Sequence, residues 1–302
     1  MGRMRAFDWG LLLTLSLLWG GSFFFTEIAL REITPLVTVW GRVALACIIL
    51  WIILRFRSIK VGWDRRLWAA FLVMGCLNNV IPFSLIVWGQ QEISGSLASI
   101  FNATTPFFTV ILAQFLTQDE RLTLPKAIGL LIGFSGVVIM VGMEALHGLA
   151  SAFWSQAAIL LAAISYGCAA IWGRRFKGID PMVTATGQVT ASSLIMTPLA
   201  LWFGFPQGYF IPSGDVLGAI LGIACLCTVA AYILYFKILE TSGATNLMLV
   251  TFLIPLSAIT LGNVFLQETL STDQIAGMVL ILLGLLIMDG RMLRSIRLKT
   301  MS

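Results

Sequence analysis

The chain has 302 residues, of which 59% are hydrophobic and only 11% charged, with a net charge of +5. Soluble domains carry about 45–50% and about 25% of these classes, so charge this sparse excludes a soluble enzyme or binding module of this length. The apolar residues come in blocks near 20 residues, the length that crosses a ~30 Å hydrocarbon core at 1.5 Å per residue; the ten-residue alternation of barrel strands is absent.

The first block, 9–29, follows Arg3 and Arg5 as a signal peptide would. Gly20-Gly21-Ser22 lies inside the apolar run and no small-residue cleavage site follows, so the block reads as an uncleaved first helix. Further spans are predicted at 34–54, 67–88, 94–116 and 124–142, then at 153–173, 181–204, 215–236, 245–266 and 273–289. The fold class expected is therefore an all-α membrane protein of ten transmembrane helices. Short connections leave no room for a soluble domain. With the amino terminus inside, seventeen of the nineteen lysines and arginines fall in cytoplasmic segments, Arg31 falls outside, and Arg42 lies within a span. Both termini are thus expected in the cytoplasm of a bacterial inner membrane, and the basic charge is a topology signal and not a nucleic-acid footprint. Cys47, Cys76, Cys168, Cys225 and Cys227 all lie in apolar spans without metal or disulfide spacing, and read as packing residues.

The sequence repeats itself at a period near 148 residues. Thr34-Pro35-Leu36-Val37-Thr38 with Gly41-Arg42-Val43 returns as Asp180-Pro181-Met182-Val183-Thr184 with Gly187-Gln188-Val189. Trp19-Gly20 returns as Tyr166-Gly167, Ser94-Gly95 as Ser242-Gly243, and Pro106 as Pro255. Glu120-x-Leu122-Thr123 with Gly129 and Gly136 returns as Glu268-x-Leu270-Ser271 with Gly277 and Gly284. The first repeat is placed at 1–142, an external connector at 143–152, and the second repeat with a basic tail at 153–302. Five helices per repeat is an odd number, so the two halves are expected upside down relative to one another, around a central site. The basic loop 55–66 has as its counterpart 205–214, which lacks lysine and arginine, as inversion requires.

This repeat, the Pro35…Gly41-Arg42 stretch and the Glu-x-Leu-Thr/Ser…Gly segments entering helices 5 and 10 resemble the drug/metabolite transporter superfamily, specifically its EamA-domain members. The resemblance covers nearly the whole chain. It implies a basket-like fold with a central cavity and, in many bacterial members, export of amino acids or other metabolites.

Arg42 is the only basic side chain placed well inside a span. Such a charge costs at least ~2.5 kcal/mol on insertion scales and needs a partner or a wet cavity. It either attracts a substrate carboxylate or hydrogen-bonds carbonyls at broken helix ends. Asn78 and Asn79, near Pro82, serve either as interhelical glue or as cavity groups. Asn102, Thr104 and Thr105 flank Pro106, which frees the Asn102 carbonyl as Pro255 frees that of Thr251; Pro82, Pro106 and Pro255 are the candidate kinks and gates. Trp19 and Tyr166 lie mid-membrane beside glycines and join Trp40, Phe101, Trp172, Gln188 and Phe252 as cavity candidates. Glu120 and Glu268 read as structural carboxylates at helix entrances, with Ser271…Gln274 at capping-box spacing. Glycines on helices 5 and 10 predict close packing, as scaffold or as a homodimer contact. No cofactor and no metal is expected. The acidic residues lie at helix ends or in loops, so a proton carrier at the midplane is not expected, while neutral oxygens leave sodium open. The function expected is a secondary or facilitative transporter, an exporter of a small neutral or zwitterionic metabolite such as amino acids. Its partners are that small molecule and the bilayer. The alternatives are export of hydrophobic drugs and, further off, a membrane-embedded enzyme or a scaffold.

Overall fold

The computed structural model describes residues 6–117, 122–146, 150–205 and 211–289, leaving aside the side chains of 142–151, 244 and 245. Every element among them is helical. In chain order these are α1 (Ala6–Ala29), α2 (Pro35–Phe56), α3 (Arg65–Gly89), α4 (Gly95–Leu116) and α5 (Leu124–Leu146). Then come α6 (Ala150–Trp172), α7 (Pro181–Leu199), α8 (Gly214–Gly243), α9 (Val250–Leu266) and α10 (Thr272–Asp289). A 3-10 turn, Gly173–Phe176, ends α6, and a π-helical turn, Ala200–Gly204, extends α7. Eight of these are long and apolar enough to cross a membrane; α9 is apolar but shorter. Helix α7 is diluted by Thr184, Thr186, Gln188, Thr190, Ser192, Ser193 and Thr197.

The helix starts follow from local chemistry. Thr34 caps α2 by accepting from the Val37 amide at 3.4 Å, with Pro35 in the first turn where its missing N–H costs nothing. Asp180 and Pro181 do the same for α7, the Met182 amide lying 2.7 Å from Asp180 Oδ1. Asp64 caps α3 and Ser94 caps α4. Ser271 and Gln274 form a reciprocal capping box at 3.0 and 3.3 Å.

The interruptions are as informative as the helices. Helix α3 contains a π-helical turn at Cys76–Val80 and α8 one at Cys225–Ala230, at matching places of the two sequence repeats. Helix α4 breaks at Ala103–Thr104, just ahead of Pro106. The span expected at 245–266 is broken too. Gly243 takes φ 78°, which stops α8. A turn in which the Thr251 amide bonds the Met248 carbonyl at 3.1 Å then precedes α9.

Helix α1 lies on α9, α2 on α7, α5 on α10, and α6 against both α3 and α4. Tryptophans pin α2 to α7: Trp40 Nε1 donates to Thr197 Oγ1 at 3.0 Å and Trp51 Nε1 to Thr190 Oγ1 at 2.9 Å. Helices α5 and α10 turn their glycine faces on each other. A Cβ on Gly136 would sit 2.5 Å from the Gly277 carbonyl oxygen, and one on Gly284 2.7 Å from the Gly133 amide. Those faces are engaged within the chain, while Leu131 and Val138 of α5 point outward.

Candidate functional site

Between the helices lies a cavity of about 1010 Å³. Of the residues singled out from sequence, Trp19, Arg42, Asn78, Asn102, Thr105, Tyr166 and Gln188 line it. Five others do not. Trp40 is tied to Thr197, and Phe101 is fully buried among apolar side chains. Trp172 donates from Nε1 to the Ala70 carbonyl at 3.1 Å, with the Arg175 guanidinium 4.1 Å over its ring. Phe252 packs against the core, and its neighbour Thr251 reaches the cavity instead. Asn79 is buried in the wall, donating to Ser192 Oγ at 2.9 Å and accepting from Tyr232 Oη at 3.2 Å.

Asn78 and Asn79 part company because they sit in the π-helical turn of α3. Asn78 Nδ2 turns inward to Gln188 Oε1 at 3.1 Å and Tyr232 Oη at 3.4 Å. One network thus joins α3, α7 and α8 at the cavity wall. Gly75 lets the helices meet there, since a Cβ on it would lie 2.7 Å from the Gln188 carbonyl oxygen.

Arg42 does not bond helix-end carbonyls. Its Nε donates to Thr228 Oγ1 at 3.0 Å and one terminal nitrogen to Ser22 Oγ at 3.1 Å. The guanidinium carbon stands 3.7 Å from the centroid of the Phe83 ring. Tyr166, Cys227 and Tyr232 complete its electrostatic surroundings. A guanidinium has five N–H donors, and these two bonds leave others for a ligand in the cavity.

The three prolines, Pro82, Pro106 and Pro255, are all buried and none of them touches the cavity. The Asn102 carbonyl freed by Pro106 accepts from Thr105 Oγ1 at 2.8 Å. Helix α4 therefore bends without leaving that carbonyl bare. Glu268 holds the start of α4, accepting from the Ser96 amide at 2.9 Å. Glu120 lies outside the described residues.

Several lining residues escaped the sequence reading. Ser22, Phe23 and Thr26 follow Trp19 at helical spacing on one face of α1, and that period could have revealed them. Phe83, Thr228, Tyr232 and Tyr235 carried no such signal, because their facing depends on the π-helical turns before or around them. At one end the cavity is lined by Arg174 and Lys177, both exposed. At the other it stops at Phe23, Thr26, Gln90 and Ser99, where Gln90 Nε2 donates to the Phe23 carbonyl at 3.0 Å.

A model of the EamA-like transporter family matches residues 9–142 and again 153–288. The protein PecM of Dickeya dadantii is 29% identical over 283 residues, covering 93% of this chain and 92% of its own. The uncharacterized transporter YoaV of Bacillus subtilis is 22% identical over 279 residues, with 91% and 94% covered. The uncharacterized inner membrane transporter YedA of Escherichia coli is 23% identical over 262 residues, with 87% and 84% covered. A solved crystal structure at 16% identity shares the fold, with a TM-score of 0.67 over 94% of this chain and 98% of that one.

Proposed function

The chain belongs to the EamA-like transporter family, and from that premise we propose that it carries a small zwitterionic metabolite bearing a carboxylate, amino acids first. It is a multi-pass membrane protein, and its relatives YoaV and YedA are named as uncharacterized transporters. The observation that carries the substrate class is Arg42, a permanent cation with hydroxyl and aromatic neighbours and spare donors facing the cavity. A carboxylate is a group whose geometry matches such a guanidinium. Trp19, Tyr166, Tyr232 and Tyr235 supply an apolar wall for the rest of the molecule, and Asn78, Asn102 and Gln188 supply amides for an ammonium or hydroxyl.

The cycle is alternating access between two halves of opposite orientation. Paired interruptions support this: π-helical turns at Cys76–Val80 and Cys225–Ala230, and breaks at Ala103–Thr104 and at 248–249. Helices with interruptions at corresponding depths can bend in either half around one site. Export is the direction favoured by the mouth. Arg174 and Lys177 belong to the cytoplasmic side by the placement of lysine and arginine, and they draw a carboxylate toward the cavity. The drug-export alternative draws on the aromatic walls but gives Arg42 nothing to do.

The test is exchange in proteoliposomes loaded with a panel of amino acids, other zwitterions and uncharged apolar drugs. Exchange stimulated by a zwitterion on the opposite side is expected; exchange confined to uncharged apolar compounds would replace this reading with drug export. Orientation is read separately by labelling single cysteines in intact cells. Arg57→Cys and Lys177→Cys are expected to react only after the membrane is opened, and Gln91→Cys and Ser213→Cys without opening it. The reverse pattern overturns the orientation.

A further inference from the structure

At the closed end of the cavity, behind Phe23 and Thr26, lies a polar group that substrate binding does not use. Glu27 comes from α1, Gln90 follows α3, Ser96 opens α4, and Glu268 lies between α9 and α10. They lie together. The Gln90 side chain and the Gly95 backbone lie within electrostatic reach of Glu27, as does the Glu268 carboxylate. The Ser96 amide donates to Glu268 Oε2 at 2.9 Å. Gly262 packs so close that a Cβ on it would lie 2.7 Å from Ser96 Oγ and against the Glu268 carboxylate.

These contacts leave four buried oxygens without a partner: Glu27 Oε2, Gln90 Oε1, Ser96 Oγ and Glu268 Oε1. Two belong to side chains that are almost wholly buried, Gln90 at 4% exposure and Ser96 at 2%. An unmet buried acceptor is costly, and four in one group ask for a shared positive charge.

The geometry points to a site for one sodium ion, formed by Glu27, Gln90, Ser96 and Glu268. A set made only of carboxylate, amide and hydroxyl oxygens suits a hard cation and not a transition metal. Arg31, whose charge reaches Glu27, and the amides at the start of α4 offset part of the two carboxylate charges. That offset leaves fewer than two negative charges to balance, which favours a monovalent over a divalent ion. A proton shared by the carboxylates would leave Gln90 Oε1 unmet, so sodium fits the oxygen set better. The four residues come from α1, α3, α4 and the α9–α10 loop, all of which must part for this end to open. Bound sodium therefore holds the end closed. Its role as a coupling ion rests on the transport reading above; its binding does not.

The experiment uses the full purified chain in detergent, unfolded by heat and followed by tryptophan fluorescence. Sodium chloride is titrated against choline chloride at constant ionic strength. A saturable rise in Tm with sodium and none with choline is expected. Glu27→Gln and Glu268→Gln should abolish the rise, and Ser96→Ala should shift its midpoint several-fold to higher sodium while unfolding as wild type in choline. If a glutamine variant fails to fold, equilibrium binding of radioactive sodium to the wild-type chain decides. About one ion per chain supports the site and none overturns it. Identical curves in sodium and choline, a response kept in both glutamine variants, or stabilisation by acid with no sodium effect also overturn it. Substrate exchange that proceeds unchanged in choline overturns the coupling role and leaves the transport reading standing, while the Tm and ion-binding measurements decide the site itself.

Discussion

Replacing Arg42 with methionine separates a substrate anchor from a structural pin. Two charged hydrogen bonds, at 3.0 and 3.1 Å, contribute about 1.5–3 kcal/mol each. Contact with the Phe83 ring at 3.7 Å adds about 2 kcal/mol if desolvated. Against these stands the cost of holding the charge within the membrane, at least ~2.5 kcal/mol. The bonds and the ring contact sum to about 5–8 kcal/mol, so with the charge cost at its lower bound the balance favours arginine by about 2.5–5.5 kcal/mol. The substitution does not strand Thr228, whose hydroxyl also donates to the Ile223 carbonyl at 2.9 Å. Methionine fills the stem and faces Phe83 favourably. Arg42→Met is therefore expected to lower Tm by no more than roughly 5–20 °C, with the chain still folded. Losing one partner of a buried charge pair costs about 2–5 kcal/mol, so affinity for a carboxylate substrate should fall by roughly 30-fold to several thousand-fold. Quenching of Trp19 fluorescence in the cavity reads the affinity, and thermal unfolding reads the stability. Unchanged affinity with lost stability would refute the anchor and return Arg42 to a structural role.

Substituting Pro106 or Pro255 with alanine restores an amide at the bend and should change exchange rate more than substrate affinity, measured by isotope exchange. Normal rates in both variants, at normal expression, end the gate reading of those prolines. Gly136→Leu drives a side chain into the Gly277 backbone and should cost about 1–3 kcal/mol or more in thermal unfolding. Gly218→Ala, where a Cβ meets nothing within 4 Å, should leave Tm unchanged or slightly raised, and serves as its control.

The spans were legible because membrane helices must satisfy their own backbone, which makes length and apolarity sufficient signals. Even α7 was found, through its Asp180-Pro181 start and its match to Thr34-Pro35, although its polar residues dilute its hydropathy. The facing of side chains was harder to read. Each residue turns a helix by about 100°, so one extra residue in a π-helical turn swings everything beyond it to another face. No sequence rule gave the turn at Cys76–Val80, and so Asn78 could not be told from Asn79. Tryptophan carries a different ambiguity. Its N–H is as well served by Thr197 or the Ala70 carbonyl as by a ligand, which put Trp40 and Trp172 in walls and not in the cavity. Arg42, whose charge has fewer ways to be satisfied, was the more reliable pointer.

The two ends of the cavity are built from different chemistry, and the proposed cycle depends on that difference. The mouth has exposed Arg174 and Lys177 beside the short 3-10 turn Gly173–Phe176. The closed end is held by specific bonds across helices: Gln90 to the Phe23 carbonyl, and the Ser96 amide to Glu268. A neutral buried bond contributes about 0.5–1.5 kcal/mol and one to a charge about 1.5–3 kcal/mol. The two together come to about 2–4.5 kcal/mol. Moving a two-state equilibrium from 1:99 to 99:1 takes about 5.5 kcal/mol. The seal alone is therefore comparable to, and slightly smaller than, a full switch. A bound ion of modest affinity at the Glu27–Glu268 group would supply the remainder, and its release would let the same two bonds break on the timescale of transport.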